Sequence, residues 1–115
     1  MGTTVNINAT NSIVAQNKVL GQVEDCGMVS MGVTSKANLS TDESCLFDDD
    51  KSITGKKAKL GKLKLNGGQT ETMKPKASSP VVDAGVNNGC KSPDQRGVKR
   101  PQGKRCDMGA VELQK

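Results

Sequence analysis

"TTVNINATNSIVAQNKVLGQVEDCGMVSMGVTS", residues 3–35, alternates and breaks at short intervals. Val5 and Ile7 are separated by Asn6, then Thr10 and Asn11 interrupt, and Ser12, Ile13, Val14 and Ala15 follow. The pattern then repeats with Val19 and Leu20, Val23, and a run from Met28 to Val33, each broken by Gly or Asn. Such runs read as strands of a few residues between turns. No window shows a sustained period of 3.6, so helix is not expected. Very short strands at near-regular spacing suggest coils of a parallel β-solenoid, in which each strand stacks on its equivalent one turn away.

Composition supports this reading. The chain has 115 residues, enough for one domain, and Phe47 is its single aromatic residue. Aromatic side chains bury the most area in an ordinary core. Here Val, Leu, Ile, Met and Ala must serve instead, and small aliphatic residues are what the interior of a thin coil holds. The net charge of +5 implies solubility and affinity for polyanions, not a fold. No stretch approaches the roughly 20 apolar residues of a membrane helix, so no membrane insertion is expected. The N-terminus lacks the basic and apolar regions of a signal peptide, and it reads as the start of a piece cut from a longer protein.

Four cysteines allow three disulfide pairings. A zinc site would need all four thiolates from scattered positions, without a C-x-x-C or a histidine. Disulfides Cys26–Cys45 and Cys90–Cys106 are the expected arrangement. Each closes a loop of a length associated with about 3 kcal/mol in the chain-entropy model. Disulfides imply an oxidising compartment, hence an extracellular or cell-surface location.

Residues 51–66 change character. Lys51, Lys56, Lys57, Lys59, Lys62 and Lys64 follow three aspartates. The segment reads as a Lys-rich loop anchored by Ile53, Leu60, Leu63 and Leu65, with Lys56, Lys57, Lys59, Lys62 and Lys64 as candidate polyanion-binding residues. "NGGQT", 66–70, is a turn signal. Val81 and Val82 read as a short strand, and the rest of the final third as extended segments and turns.

Six motifs occur in order: "NSIVAQN" (11–17), "LSTDESC" (39–45), "KLGKLKLNGGQTETM" (59–73), "SPVVDAG" (79–85), "DQRGVKRPQG" (94–103) and "CDMGAVE" (106–112). Together they resemble the C-terminal region of secreted bacterial right-handed parallel β-helix surface proteins of the choice-of-anchor type. The resemblance spans about residues 11–113. It departs from the family at Gln69, where a proline is usual, at residues 73–76, and at Val111, where an aromatic residue is usual. It implies an all-β fold: terminal coils of a right-handed parallel β-helix at 1–50, the Lys-rich loop at 51–66, and a loop-rich, disulfide-pinned C-terminal cap at 67–115. These three parts form one structural unit.

The basic stretch 92–112 then has two readings. As a polyanion grip it lacks the aromatic platforms that stack bases, which argues against nucleic acid. As a structural plug, Arg96 ties loop carbonyls to a carboxylate, Asp94 caps its own turn, and Asp83 joins Arg96 or Arg100. The expected cap network is Asp83, Asp94, Arg96 and Arg100. Asp42, Glu43, Asp48, Asp49 and Asp50 lack the EF-hand pattern and read as a solvated acidic turn.

With no histidine, Ser-His and Cys-His mechanisms are excluded. The resemblance implies a structural, non-catalytic function with no cofactor: a cap that shields the solenoid end and leaves an exposed coil edge for self-association. The alternatives are a basic module that binds anionic cell-surface polysaccharide, and a fragment of a polysaccharide-degrading β-helix enzyme.

Overall fold

The computed structural model describes residues 6–27 and 32–114. Val5 and residues 28–31, which belong to the expected strands, lie outside them.

The described chain is built from short strands, with one 3-10 turn at Asn87–Gly89. Strand β1 (Asn6–Thr10) is followed by β2 (Ile13–Val14), β3 (Lys18–Val19) and β4 (Gln22–Val23). Then come β5 (Gly32–Lys36), β6 (Leu39–Ser40) and β7 (Ile53–Thr54), and finally β8 (Lys64–Leu65) and β9 (Glu71–Thr72). Four small sheets result: β1 with β5, the three-stranded β2-β6-β7, and the pairs β3-β4 and β8-β9.

Two of these sheets are parallel, and their registers agree. Asn6 pairs with Gly32 and Ile13 with Leu39, so partners are 26 residues apart in both. The third rung returns sooner, since Leu39 pairs with Ile53, 14 residues on. The corner between strands repeats as well. Asn11, between β1 and β2, has φ of 52°, and Ala37, its equivalent between β5 and β6, has φ of 57°. A residue with a Cβ pays a steric penalty in this region, so the same left-handed bend at equivalent places reflects a shared path. The small sheets do not by themselves make a solenoid.

The other pairs are antiparallel hairpins. Leu20 and Gly21 turn β3 into β4, both with positive φ, as a twist-compatible two-residue turn requires. The turn expected at residues 66–70 joins β8 to β9. Its Asn66 amide donates to the Thr72 carbonyl and hydroxyl oxygens, both at 2.9 Å.

The core is small and shared. Ala37, Leu39, Ala58, Val81 and Met108 form its buried cluster, and Ile13, Ile53, Leu60 and Val86 pack against it. Thus the ladder strands β2, β6 and β7 supply one side and the C-terminal segment the other. Close approach depends on glycine at two places. A Cβ on Gly85 would meet the Cys106 carbonyl oxygen at 2.7 Å, and one on Gly109 would meet Ile13 Cδ1 at 2.7 Å. A backbone bond closes the seam, Gly109 N donating to Asn11 O at 2.7 Å, while Met108 N to Val81 O at 3.0 Å ties the C-terminal segment to itself. Both disulfides form, Cys26–Cys45 and Cys90–Cys106.

Two local expectations change. Val81 and Val82 lie in a turn rather than a strand. The Ser79 hydroxyl donates to Ala58 O and accepts from Val81 N, closing a side-chain turn that competes with extended pairing. Leu63 and Leu65 are 60% and 63% exposed and do not anchor the Lys-rich segment, whereas Ile53 and Leu60 reach the core and Ala58 is buried beside them. β8 is two residues long, and its cross-strand partner Thr72 occupies the inner face, leaving the alternate residues Leu63 and Leu65 outside.

Candidate functional site

Two features stand out: a buried charge network in the C-terminal segment and a basic, partly apolar face on the β8-β9 hairpin.

The network begins with Asp94, 6% exposed. Its Oδ1 accepts from the N–H groups of Arg96 and Val98 at 2.8 and 2.9 Å. Its Oδ2 accepts from Glu112 N at 2.8 Å and from Arg96 Nε at 3.3 Å. Burial alone pushes its pKa up. The three backbone donors and the Arg96 charge outweigh that and hold the carboxyl below its ordinary value. Arg96 uses its remaining nitrogens on carbonyls, Nη1 to Asn66 O at 2.9 Å and Nη2 to Glu112 O at 2.7 Å. Arg100 works in parallel, with Nη2 donating to Gly109 O at 2.8 Å and Nη1 to Asp107 O at 3.0 Å. It pairs with Glu112 at 3.4 Å.

Three of the four expected members therefore lie in one network. Asp83 sits at its border: its N–H donates to Asp107 Oδ1 at 2.7 Å, and its carboxylate lies against Gly103. Sequence reasoning did not single out Asp107 or Glu112. Both are fully buried, and each carboxylate gathers loop amides: Leu113 N to Asp107 at 2.7 Å, and Asp107 N and Gln102 N to Glu112 at 3.0 and 3.1 Å. The signal was the acid at each end of "CDMGAVE", an apolar stretch where exposed acids have no reason to sit.

The ladder uses carboxylates and amides in the same way. Asn38, fully buried, accepts from Ser12 N and donates to Ala9 O, both at 2.9 Å. Asp25 accepts from Asn17 N at 3.0 Å and from Thr41 N and Oγ1 at 2.6 Å. Asp49, read as a solvated acid, instead accepts from Ala37 N at 2.9 Å and from the Ser35 and Ser52 hydroxyls. Burial raises its pKa, but these donors prevail and hold it well below the carboxylate range. Among the described residues, no group of three or more Cys, Asp or Glu is placed to hold a metal ion.

The second feature is a groove of about 800 Å³. Ile13, Leu60, Leu63 and Met73 supply apolar wall, and Lys57, Lys59 and Lys76 line it too. Lys56, Lys57, Lys59, Lys62 and Lys64 are all exposed. The fold adds Lys74 and Lys76 to them. Gly61 N donates to Lys74 O at 2.8 Å and Lys76 N to Lys59 O at 2.9 Å, zipping the two lysine-bearing segments together. That addition was not visible in sequence, because it depends on the hairpin bringing residue 76 back to residue 59.

Comparison with family models, curated proteins and solved structures found no match for this chain.

Proposed function

We propose that this chain is the closing segment of an exported right-handed parallel β-helix surface protein, with a structural, non-catalytic role. The observation that carries the reading is the common 26-residue register of β1-β5 and β2-β6, with the left-handed corner repeated at Asn11 and Ala37. One return of the chain to the same rung and corner after 26 residues, followed by a shorter return after 14, is what the closing coils of an irregular solenoid would give, and it supports the reading. The six ordered motifs resembling choice-of-anchor β-helix proteins support it, and two disulfides in a small domain support an extracellular location.

In this reading the C-terminal segment is a lid. It covers the apolar face that Ile13, Leu39 and Ile53 present, and its loops are pinned by Cys90–Cys106 and by the buried carboxylate–arginine network. Removing it uncovers a flat, short-stranded apolar surface with open edges, which invites stacking of one molecule on another.

A charged residue inside the lid tests this. Met108 is 1% exposed in the shared core, and Met108→Asp forces the lid off. The expected outcome is concentration-dependent self-association in sedimentation velocity, with the ladder amides of Leu39 and Ile53 still protected from exchange. A variant that keeps those amides protected and sediments as a monomer contradicts the capping role.

A further inference from the structure

The β8-β9 hairpin is charged and greasy on one face. Residues 56–76 hold seven lysines and one acid, Glu71, a local charge of +6 that exceeds the +5 of the whole chain. Alternation puts Leu63, Leu65, Glu71 and Met73 on one side of the hairpin. Three of these are large apolar side chains left 60%, 63% and 48% exposed. Lys57, Lys59 and Lys76 line the groove that Leu63 and Met73 enter. A group of exposed apolar side chains rimmed by polar residues is the kind of surface that marks a contact site.

We propose that this face docks on the surface of an anionic lipid bilayer, with Leu63, Leu65 and Met73 entering the headgroup–acyl boundary while the surrounding lysines meet lipid phosphates. The inference goes beyond the structural role above and does not rest on it.

The page favours this occupant over the others. A second copy of the chain is opposed by charge, because an isologous contact sets +6 against +6. Nucleic acid and sugar polymers have use for the lysines but not for three exposed aliphatic side chains, and the hairpin carries no aromatic residue on which bases or sugar rings stack. A bilayer uses both: apolar side chains gain by leaving water, and lysine stems reach along apolar surface while their ammonium groups stay at the phosphates. The contact is peripheral. Among the described residues no helix is long and apolar enough to cross a membrane.

Co-sedimentation of the full chain with phosphatidylcholine vesicles and with equimolar phosphatidylcholine–phosphatidylglycerol vesicles tests it. Binding is expected to the anionic vesicles and to be lost on the neutral ones, with partitioning weakened roughly fivefold for each lysine whose charge reaches the surface and is removed. Lys57→Gln/Lys59→Gln/Lys76→Gln and Leu63→Ser/Leu65→Ser/Met73→Ser, all exposed and so expected to keep the fold, each reduce it, as does raising salt for the wild type. Equal sedimentation with neutral and anionic vesicles overturns the proposal. So does retention on heparin as strong as on anionic vesicles and indifferent to the aliphatic substitutions, which assigns the face to a soluble polyanion instead.

Discussion

Asp94 gathers three backbone N–H groups and one guanidinium around a carboxylate that is almost wholly removed from water. Asp94→Asn turns one accepting oxygen into an NH2 group that faces donors. The expected loss is about 2–4 kcal/mol in urea unfolding at neutral pH, the range for leaving buried donors and an arginine unsatisfied. The pH dependence carries the sign. The folded pKa of Asp94 lies below its ordinary value of 3.8, so its stabilisation is complete above that pH and is lost as pH falls through the folded value. The gap between wild type and Asp94→Asn is therefore expected to narrow below about pH 3.8, and a gap that widens on acidification contradicts the assigned role. Asp94 and Arg96 were legible from "DQRG" because a short turn with an acid and an arginine two residues apart implies local capping. Asp107 and Glu112 were not, because their partners come from residues 83, 100, 102 and 113, placed only by the folded loops.

At the scale of elements, a strand of two residues has no stability of its own. β6 persists because it is bonded along both edges, Leu39 N donating to Ser12 O at 2.9 Å on one side and Gly55 N donating to Ser40 O at 3.0 Å on the other, beside Ile53 N to Asn38 O at 2.7 Å. The Leu39 side chain is fully buried in the shared core. Leu39→Ala is expected to cost about 2–5 kcal/mol through lost transfer energy and the cavity left behind. Leu65→Ala, on the exposed face of β8, is expected within about 0.5 kcal/mol of wild type in the same denaturation experiment. Equal costs for the two overturn the assignment of inside and outside. Within the described residues 6–27, short strands broken by Asn and Gly were readable, since Asn11 and Gly21 interrupt the alternation where the chain turns; the corner at Ala37 carries no such mark. Which leucines of residues 60–65 point inward was not readable. The segment alternates Leu with Lys, and that pattern is the same whether the leucines face the core or the solvent.

For the whole molecule, the buried set contains charged and polar side chains as prominently as apolar ones: Asp25, Asn38, Asp94, Asp107 and Glu112 beside Leu39, Val81, Met108 and Val111. A chain with one aromatic residue replaces part of a hydrophobic core with saturated hydrogen bonding and two cross-links, each worth about 3 kcal/mol in the chain-entropy model. The cross-links were readable from cysteine number and spacing. The seam between the parallel strands and the C-terminal segment was not, because it joins residues 10–13 to residues 85–109 through glycines whose only sequence mark is a missing side chain. That seam is most directly tested by a two-dimensional nuclear Overhauser spectrum of the oxidised protein. Cross-peaks are expected from the Gly109 α-protons to the Ile13 δ1 methyl, together with parallel-register contacts linking Ile13, Leu39 and Ile53. An antiparallel pattern among those three residues, or silence between Gly109 and Ile13, would contradict a lid closed over a parallel ladder.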